Sequence, residues 1–257
     1  ADIWYGLGAA QTALLLLDDA VANLTRSFDY YVANGNIARA VAVAEHPLPA
    51  YAGQLKSATE LAARALELVP ADSYEAGRIL SNYGRLLGFQ EADYAGATQA
   101  FERAVAIARR EKDSAMEMRA LANAAMVDVY HLRWREGLTK SLAAVQLVGR
   151  VQDPHPEVVA RYAAASVYFV TGDPGRARPQ AEACIKPAER LGDRSWLSRV
   201  LWLNQCIAQI CGDWDLARQF NDRAVQSVWS RDPRSLAMRA KLEYEVGDFE
   251  KGLAYLE

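Results

Sequence analysis

The residue types able to do chemistry in this 257-residue sequence are few and poorly spaced for it. His46, His131 and His155 are far apart, and no H-E-x-x-H sets two of them on one helix face, so the ligand spacing of a zinc site is missing. Cys184, Cys206 and Cys211 form no C-x-x-C pair. Cys206 and Cys211 lie five apart on one predicted helix, a spacing that does not make them facing neighbours. They read as thiols buried like small apolar side chains, and their odd, sparse count points to a reducing cytoplasm. Gly6-Leu7-Gly8 followed by Gln11 stops short of a dinucleotide fingerprint and follows no strand. A phosphate-binding G-x-x-x-x-G-K-[ST] is absent, and no Ser, Cys and His arrangement carries a hydrolase-type local signature. The sequence thus predicts no catalytic residue, no metal and no cofactor: a protein that is not an enzyme.

If the function is recognition, some scaffold must present the recognising side chains, and the composition says which kind. The chain is 51% hydrophobic and 24% charged, an ordinary globular balance. Alanine, leucine, arginine and glutamate dominate and favour helix, while alternating β-branched runs are scarce. The net charge of −3 provides no basic face for nucleic acid. No window approaches the ~18 apolar residues of a membrane span; the apolar run Ala13 to Leu17 stops at Asp18-Asp19. No basic segment followed by a cleavage site suggests a signal peptide. The expectation is a cytoplasmic all-α protein with neither nucleic acid nor membrane as direct partner.

The helices recur. A small residue, a larger one four positions on and a small one three beyond that appear, with substitutions, at Ala20/Leu24/Ser27, Ala58/Ala62/Ala65, Ala97/Phe101/Ala104, Gly137/Ser141/Ala144, Ala177/Ala181/Cys184, Ala217/Asn221/Ala224 and, truncated, Gly252/Leu256. From Ala97 to Ala217 the period is 40 residues without drift. Antiparallel helices pack closely only where small side chains let their backbones approach, and one pair cannot bury both its faces, so neighbours must stack on it. The opening stretch Trp4-Tyr5-Gly6-Leu7-Gly8-Ala9-Ala10-Gln11, with Ala20, Leu24 and Ser27, resembles the tetratricopeptide repeat, with Gln and Ser in place of the usual Tyr and Ala. That resemblance implies close contact at Gly8 and Ala20, with Trp4, Leu7 and Leu24 filling the space around them. Asn23-Leu24-Thr25 is a glycosylation sequon, discounted because Leu24 falls on a core position.

Turn signals agree with the period. Gly35-Asn36, Gly172-Asp173, Gly212-Asp213 and Gly247-Asp248 fall at helix ends, where Gly accepts a left-handed cap and Asp or Asn starts the next helix. Asp153-Pro154, Gly192-Asp193 and Asp232-Pro233 fall between repeats. Pro47 and Pro49 should end a short helix that runs from Asn36 to about Glu45. The reading is one tetratricopeptide-like, right-handed α-solenoid domain over 1–257 with about six and a half helix pairs: 1–34, 35–71, 72–112, 113–152, 153–192, 193–232 and 233–257. The chain starts without Met, stops inside a repeat and shows no polar cap at Leu253 to Glu257, so it reads as part of something longer.

Three stretches are similar to a narrower group: Phe28-Asp29-Tyr30-Tyr31 with Gly35 to Glu45, His131 to Glu136, and Glu243 to Phe249. They resemble the helical-repeat regions of large bacterial signalling ATPases, many of which end in a LuxR-type helix-turn-helix. The resemblance implies a sensor or scaffold role, as in the bacterial maltose regulator, whose repeats bind an inducer sugar. It also implies that other domains of a full-length chain are partners, the ATPase signature being absent here. Repeat positions 2, 5, 9, 12 and 13 would then line a concave groove. They are Arg78, Ser81, Arg85 and Phe89; Arg119, Met126 and Tyr130; Tyr162, Ser166 and Phe169; and Arg199, Trp202 and Gln209. Trp4, Tyr83, Phe101 and Tyr168 fall on core positions instead. Four arginines and five large aromatics are what binding surfaces use, so Arg78, Arg85, Arg119, Tyr130, Tyr162, Arg199 and Trp202 are the candidates for holding a protein, a peptide or a small-molecule inducer. The carboxylate clamp of chaperone-binding repeats is not expected, because Val159 and Ala163 replace its basic residues beside Asn82 and Asn123. The alternatives are a structural interdomain or oligomerisation scaffold, or an enzyme whose site the sequence does not display.

Overall fold

A computed structural model describes residues 1–48, 56–227 and 233–256. Pro49 to Ala52, in the proline-rich stretch, and Asp232, in one expected turn, lie outside the described residues. Fourteen α-helices, one 3-10 turn and no strand occur among the described residues. They fall into two compact units, Ala1–Arg133 and Trp134–Glu257.

The first unit holds α1 (Asp2–Ala13), α2 (Leu17–Ala33), α3 (Ile37–Ala44), α4 (Lys56–Glu67), α5 (Tyr74–Gln90), α6 (Tyr94–Glu111) and α7 (Ser114–Tyr130). The second holds α8 (Trp134–Val145), α9 (Pro154–Val170), α10 (Pro174–Leu191), α11 (Arg194–Ile210), α12 (Trp214–Ser227), α13 (Pro233–Glu245) and α14 (Phe249–Ala254). The boundary falls between α7 and α8, inside the repeat expected at 113–152.

Local chemistry sets the helix starts. Asn36, Ser73, Asp93, Asp113, Asp153, Asp173, Asp193 and Asp248 each accept a backbone N–H from the first turn of the helix that follows. Pro154 and Pro174 stand at the first helical position, where a missing N–H does no harm. The short third helix expected before Pro47 is α3, capped by Asn36. In the second unit the turns within repeats use Gly172 at φ 80° and Gly212 at φ 75°. The equivalent turns of the first unit put Ala92 (φ 53°) and Leu132 (φ 60°) in the same left-handed region.

Packing follows the small-residue pattern. Ser27 donates to the Ala1 carbonyl (3.1 Å), Tyr31 to Asp2 (2.6 Å) and Asn23 to Gln11 (2.9 Å), so α1 and α2 run antiparallel. A Cβ placed on Gly8 would lie 2.9 Å from Leu24 Cγ and 3.1 Å from the Ala20 carbonyl oxygen. The same approach recurs at Gly84, where a Cβ would meet the Ala97 carbonyl and the Phe101 ring, each at 3.1 Å. Ala97, Ala177 and Ala217, the expected crossing points, have 0% exposure. Every anchor of the 40-residue pattern is buried except Leu256.

Leu256 is one correction: it is 58% exposed, because no described helix packs over the end of α14. Trp4 and Leu7 are another. They are 39% and 47% exposed instead of filling the first pair, since no described helix precedes α1 to cover its outer face. Leu24 alone of the three is buried. Phe101 and Tyr168 are buried as expected, while Tyr83 is half-buried.

Candidate functional site

In the first unit α5 and α7 pack side by side and run parallel. Tyr74 donates to Asp113 (2.8 Å), Asn123 to Ser81 (3.1 Å) and the His131 Nε2 to the Gly88 carbonyl (2.8 Å), so residues about 40 apart stand level with one another. On α5, Arg78, Arg85 and Phe89 are spaced seven and four residues apart, which puts them on one helix face; Arg119, Met126 and Tyr130 repeat that spacing on α7. The two faces join, since the Phe89 and Tyr130 rings meet edge to face with centroids 5.0 Å apart. Tyr130 is 61% exposed, Arg119 is exposed, and Arg78, Arg85, Phe89 and Met126 are half-buried. Ser81, expected on this face, is buried as the partner of Asn123.

The arginines are positioned by hydrogen bonds. Arg78 donates to Glu45, the residue that closes α3, and Arg85 donates to Asn82 Oδ1 (2.7 Å). Asn82 in turn donates to the Ala44 carbonyl (2.9 Å). Asn82 and Asn123 thus tie neighbouring helices together, a role distinct from clamping a carboxylate. Burial pushes the Glu45 carboxyl up, against the pull of Arg78 and Arg119. Its second oxygen has no hydrogen-bond partner.

In the second unit the candidates lie on α9 and α11. Trp196 organises them: Tyr162 meets its ring edge to face at 5.7 Å, the Arg199 guanidinium sits over it at 5.6 Å, and His155 approaches at 6.0 Å. Burial raises the Tyr162 phenol above its usual range, with Arg199 opposing. Tyr162 and Phe169 pack against the cluster of Ala165, Tyr168, Leu203 and Ile207, so both serve the core as well as the face. Trp202 is 39% exposed. Gln209 is buried and donates to Glu245 (2.9 Å).

Two features escaped the sequence reading. Glu45 and Arg78 pair across 33 residues, which no local pattern signals. Glu243, at 0% exposure, receives Arg218 (2.9 Å) from α12, Arg239 (2.7 Å) from its own helix and Lys251 (3.5 Å) from α14. Only the spacing of Arg239 and Glu243, four apart, was readable in advance.

The histidines and cysteines have structural surroundings. Burial lowers the pKa of His46, which lies 3.2 Å from Thr12 Oγ1. Cys184 and Cys206 are buried and their thiols are pushed up to about 12 and about 11 by burial. Cys211, expected to be buried, is exposed, because it caps the end of α11 and lies outside the helix interface. Among the described residues no group of three or more His, Cys, Asp or Glu is placed to hold a metal, and no helix is long and apolar enough to cross a membrane. A depression of about 270 Å³ is bordered by Glu189, Asp193, Arg194 and Leu197, none of them a candidate residue.

No protein-family model and no curated protein matches the chain. Solved structures do match in fold. RapI in its apo form aligns over 99% of this chain and 74% of its own, with TM-score 0.65 and 11% identity. The PilF protein of Pseudomonas aeruginosa aligns over 93% and 89%, with TM-score 0.58 and 18% identity. A tetratricopeptide repeat protein from Parabacteroides merdae aligns over 91% and 77%, with TM-score 0.52 and 14% identity. At such identities the likeness shows a fold: an all-α, tetratricopeptide-like helical solenoid.

Proposed function

We propose that this chain is a non-catalytic ligand- or protein-binding repeat module, the sensor or scaffold part of a bacterial cytoplasmic regulator. In this reading its repeats belong to one domain of a longer protein. The fold supports a protein-binding role in general, and one observation supports it in particular. The joined face of α5 and α7 shows Arg78, Arg85 and Phe89 beside Arg119, Met126 and Tyr130, with Tyr130 and Arg119 exposed to solvent. Guanidinium and aromatic groups on a surface held by side-chain hydrogen bonds are the ingredients of binding hot spots. Arg199, Tyr162 and Trp202 offer the same chemistry in the second unit. The regulator assignment rests on the resemblance of Phe28 to Tyr31, His131 to Glu136 and Glu243 to Phe249.

The test is thermal melting in the presence of peptide and small-molecule pools. A ligand that binds only the folded state at about 100 times its Kd adds ~2.7 kcal/mol. Tyr130→Ala and Trp202→Ala should each reduce the shift produced by a ligand of its own unit. If a ligand is found and both folded variants bind it like the wild type, neither face is the site.

A further inference from the structure

We propose that His46 is an acid-sensitive latch: its neutral ring ties α1 to the end of α3, and protonation of the ring lets that side of α1 go. The inference concerns the first unit alone and goes beyond the binding role, on which it does not depend.

Two neighbours hold α1. On one side Ala1, Asp2 and Gln11 take hydrogen bonds from Ser27, Tyr31 and Asn23 of α2. On the other, Asp2 meets Arg39 of α3 at 3.4 Å in a pair exposed at both ends, which adds little. The closer tie on that side is His46, two residues past the end of α3. It is half-buried, its ring stands edge to face with Tyr5 at 5.8 Å, and its Nε2 lies 3.2 Å from Thr12 Oγ1. The Thr12 hydroxyl gives its proton to the Gly8 carbonyl (2.9 Å), so toward His46 it can only accept. Nε2 therefore carries the hydrogen of the neutral ring, and Nδ1 is the nitrogen that acid would protonate. The outer face of α1, with Ile3 and Leu7 exposed, has no described helix to hold it when the latch lets go.

No neighbouring charge welcomes the imidazolium. Arg78 and Glu75 of α5 and Arg119 of α7 act on the adjacent Glu45, and Arg85 of α5 donates to Asn82. The side chains of α1 that can ionise are Tyr5 and the Arg39-paired Asp2, and Asp29 of α2 is held by Arg64 of α4. Toward His46 burial is the effect that acts, and it disfavours the charged ring. Once released, the ring titrates at about 6.5. The closed form binds the proton less readily, so the latch is fully formed above that value and weakens as pH falls below it. Between pH 7.5 and pH 5.5 the opening equilibrium grows by up to about tenfold. Glu45 works in the opposite sense, since burial raises its carboxyl and acid favours its buried form. Asp2, held below the usual carboxylate range chiefly by the Tyr31 hydroxyl, stays ionised throughout this interval.

The experiment follows the whole chain by hydrogen exchange at pH 7.5 and pH 5.5, corrected for the intrinsic exchange rate, and by NMR titration of its three imidazoles. His46→Gln keeps a donor near the Nε2 position, cannot charge, and identifies the His46 resonance by its loss. In the wild type α1 should lose about three- to tenfold in protection at pH 5.5, while α12 to α14, which contain no histidine, keep theirs, and His46 should titrate below 6.5. In His46→Gln the acid loss in α1 should vanish. Equal protection of wild-type α1 at both pH values, or a His46 that titrates at or above 6.5, overturns the latch. A variant that loses as much as the wild type assigns the effect to another group, and the inference falls. If the variant is loosened at both pH values, the wild type decides alone. Loss of α1 protection that tracks the His46 titration upholds the latch, and loss along a different curve overturns it.

Discussion

Glu243→Gln is the sharpest test of how the second unit is held together. Glu243 has 0% exposure and joins α12, α13 and α14 through Arg218, Arg239 and Lys251. Bonds from Arg218, followed by those from Arg239, outweigh burial and hold its carboxyl down at about 2, against 4.5 for an ordinary glutamate. Gln keeps the shape and removes the charge, leaving the nearly buried Arg239 with Asp222 as its remaining carboxylate. Breaking a buried ion pair on one side costs about 3–5 kcal/mol. Arg218 and Lys251 reach solvent at 26% and 45% of their side chains and can rehydrate, which brings the expected loss to roughly 2–3 kcal/mol. The sign in pH follows from the depressed carboxyl. The folded-state pKa lies below the unfolded one, so the stabilisation is complete above about 4.5 and is lost as pH falls from there toward about 2. Hydrogen exchange read by mass spectrometry should show α13 and α14 losing protection in Glu243→Gln at pH 7, while α1 to α7 stay unchanged. Urea melts between pH 5 and pH 3 should steepen for the wild type and flatten for the variant. Equal protection in both proteins, with matching acid profiles, would refute the claim that this network stabilises the last repeats.

Three more outcomes follow from the geometry. Gly88→Ala would set a Cβ 2.5 Å from Val127 Cγ1; it should destabilise the first unit by about 1–3 kcal/mol, and Val127→Ala in the same chain should recover most of that if crowding is the cause. Leu132→Gly relieves a left-handed residue that is 68% exposed and should raise stability by up to about 1 kcal/mol, measured by urea titration; a loss would mean Leu132 makes a contact worth its strain. A thiol reagent at pH 8 should label Cys211 alone in the native protein, with Cys184 and Cys206 reacting only in denaturant, since burial pushes their thiols up to about 12 and about 11; mass spectrometry of the labelled peptides reads the result.

What the sequence determined by itself is local and periodic. Ala97, Ala177 and Ala217 recur because two helix backbones can meet only over a small side chain, and a contact repeated in every turn of the solenoid leaves a period in the chain. The Gly-Asp turns and Asp caps were legible for the same reason, since the residue that solves the backbone problem sits within a few positions of it. The spacing that puts Arg78, Arg85 and Phe89 on one face of α5 was readable from helix geometry alone.

Tertiary structure decided everything that depends on which surfaces meet. Trp4, Leu7 and Leu256 match the repeat pattern yet stay exposed, because burial belongs to a neighbouring helix and none of the described ones covers them. Cys211 shares α11's sequence with Cys206 but caps its end, beyond the interface that buries the other thiol. Tyr162 and Phe169 keep the expected spacing but lean into the α9–α10 core, where Trp196 holds Arg199 and Tyr162 together. Glu45 with Arg78, and Glu243 with Arg218, are pairs 33 and 25 residues apart. Helical periodicity relates residues three, four or seven apart, whereas these pairs form only when the stacking of one helix on another brings two opposite charges together, where their attraction and hydrogen bonds offset the cost of burying the carboxylate.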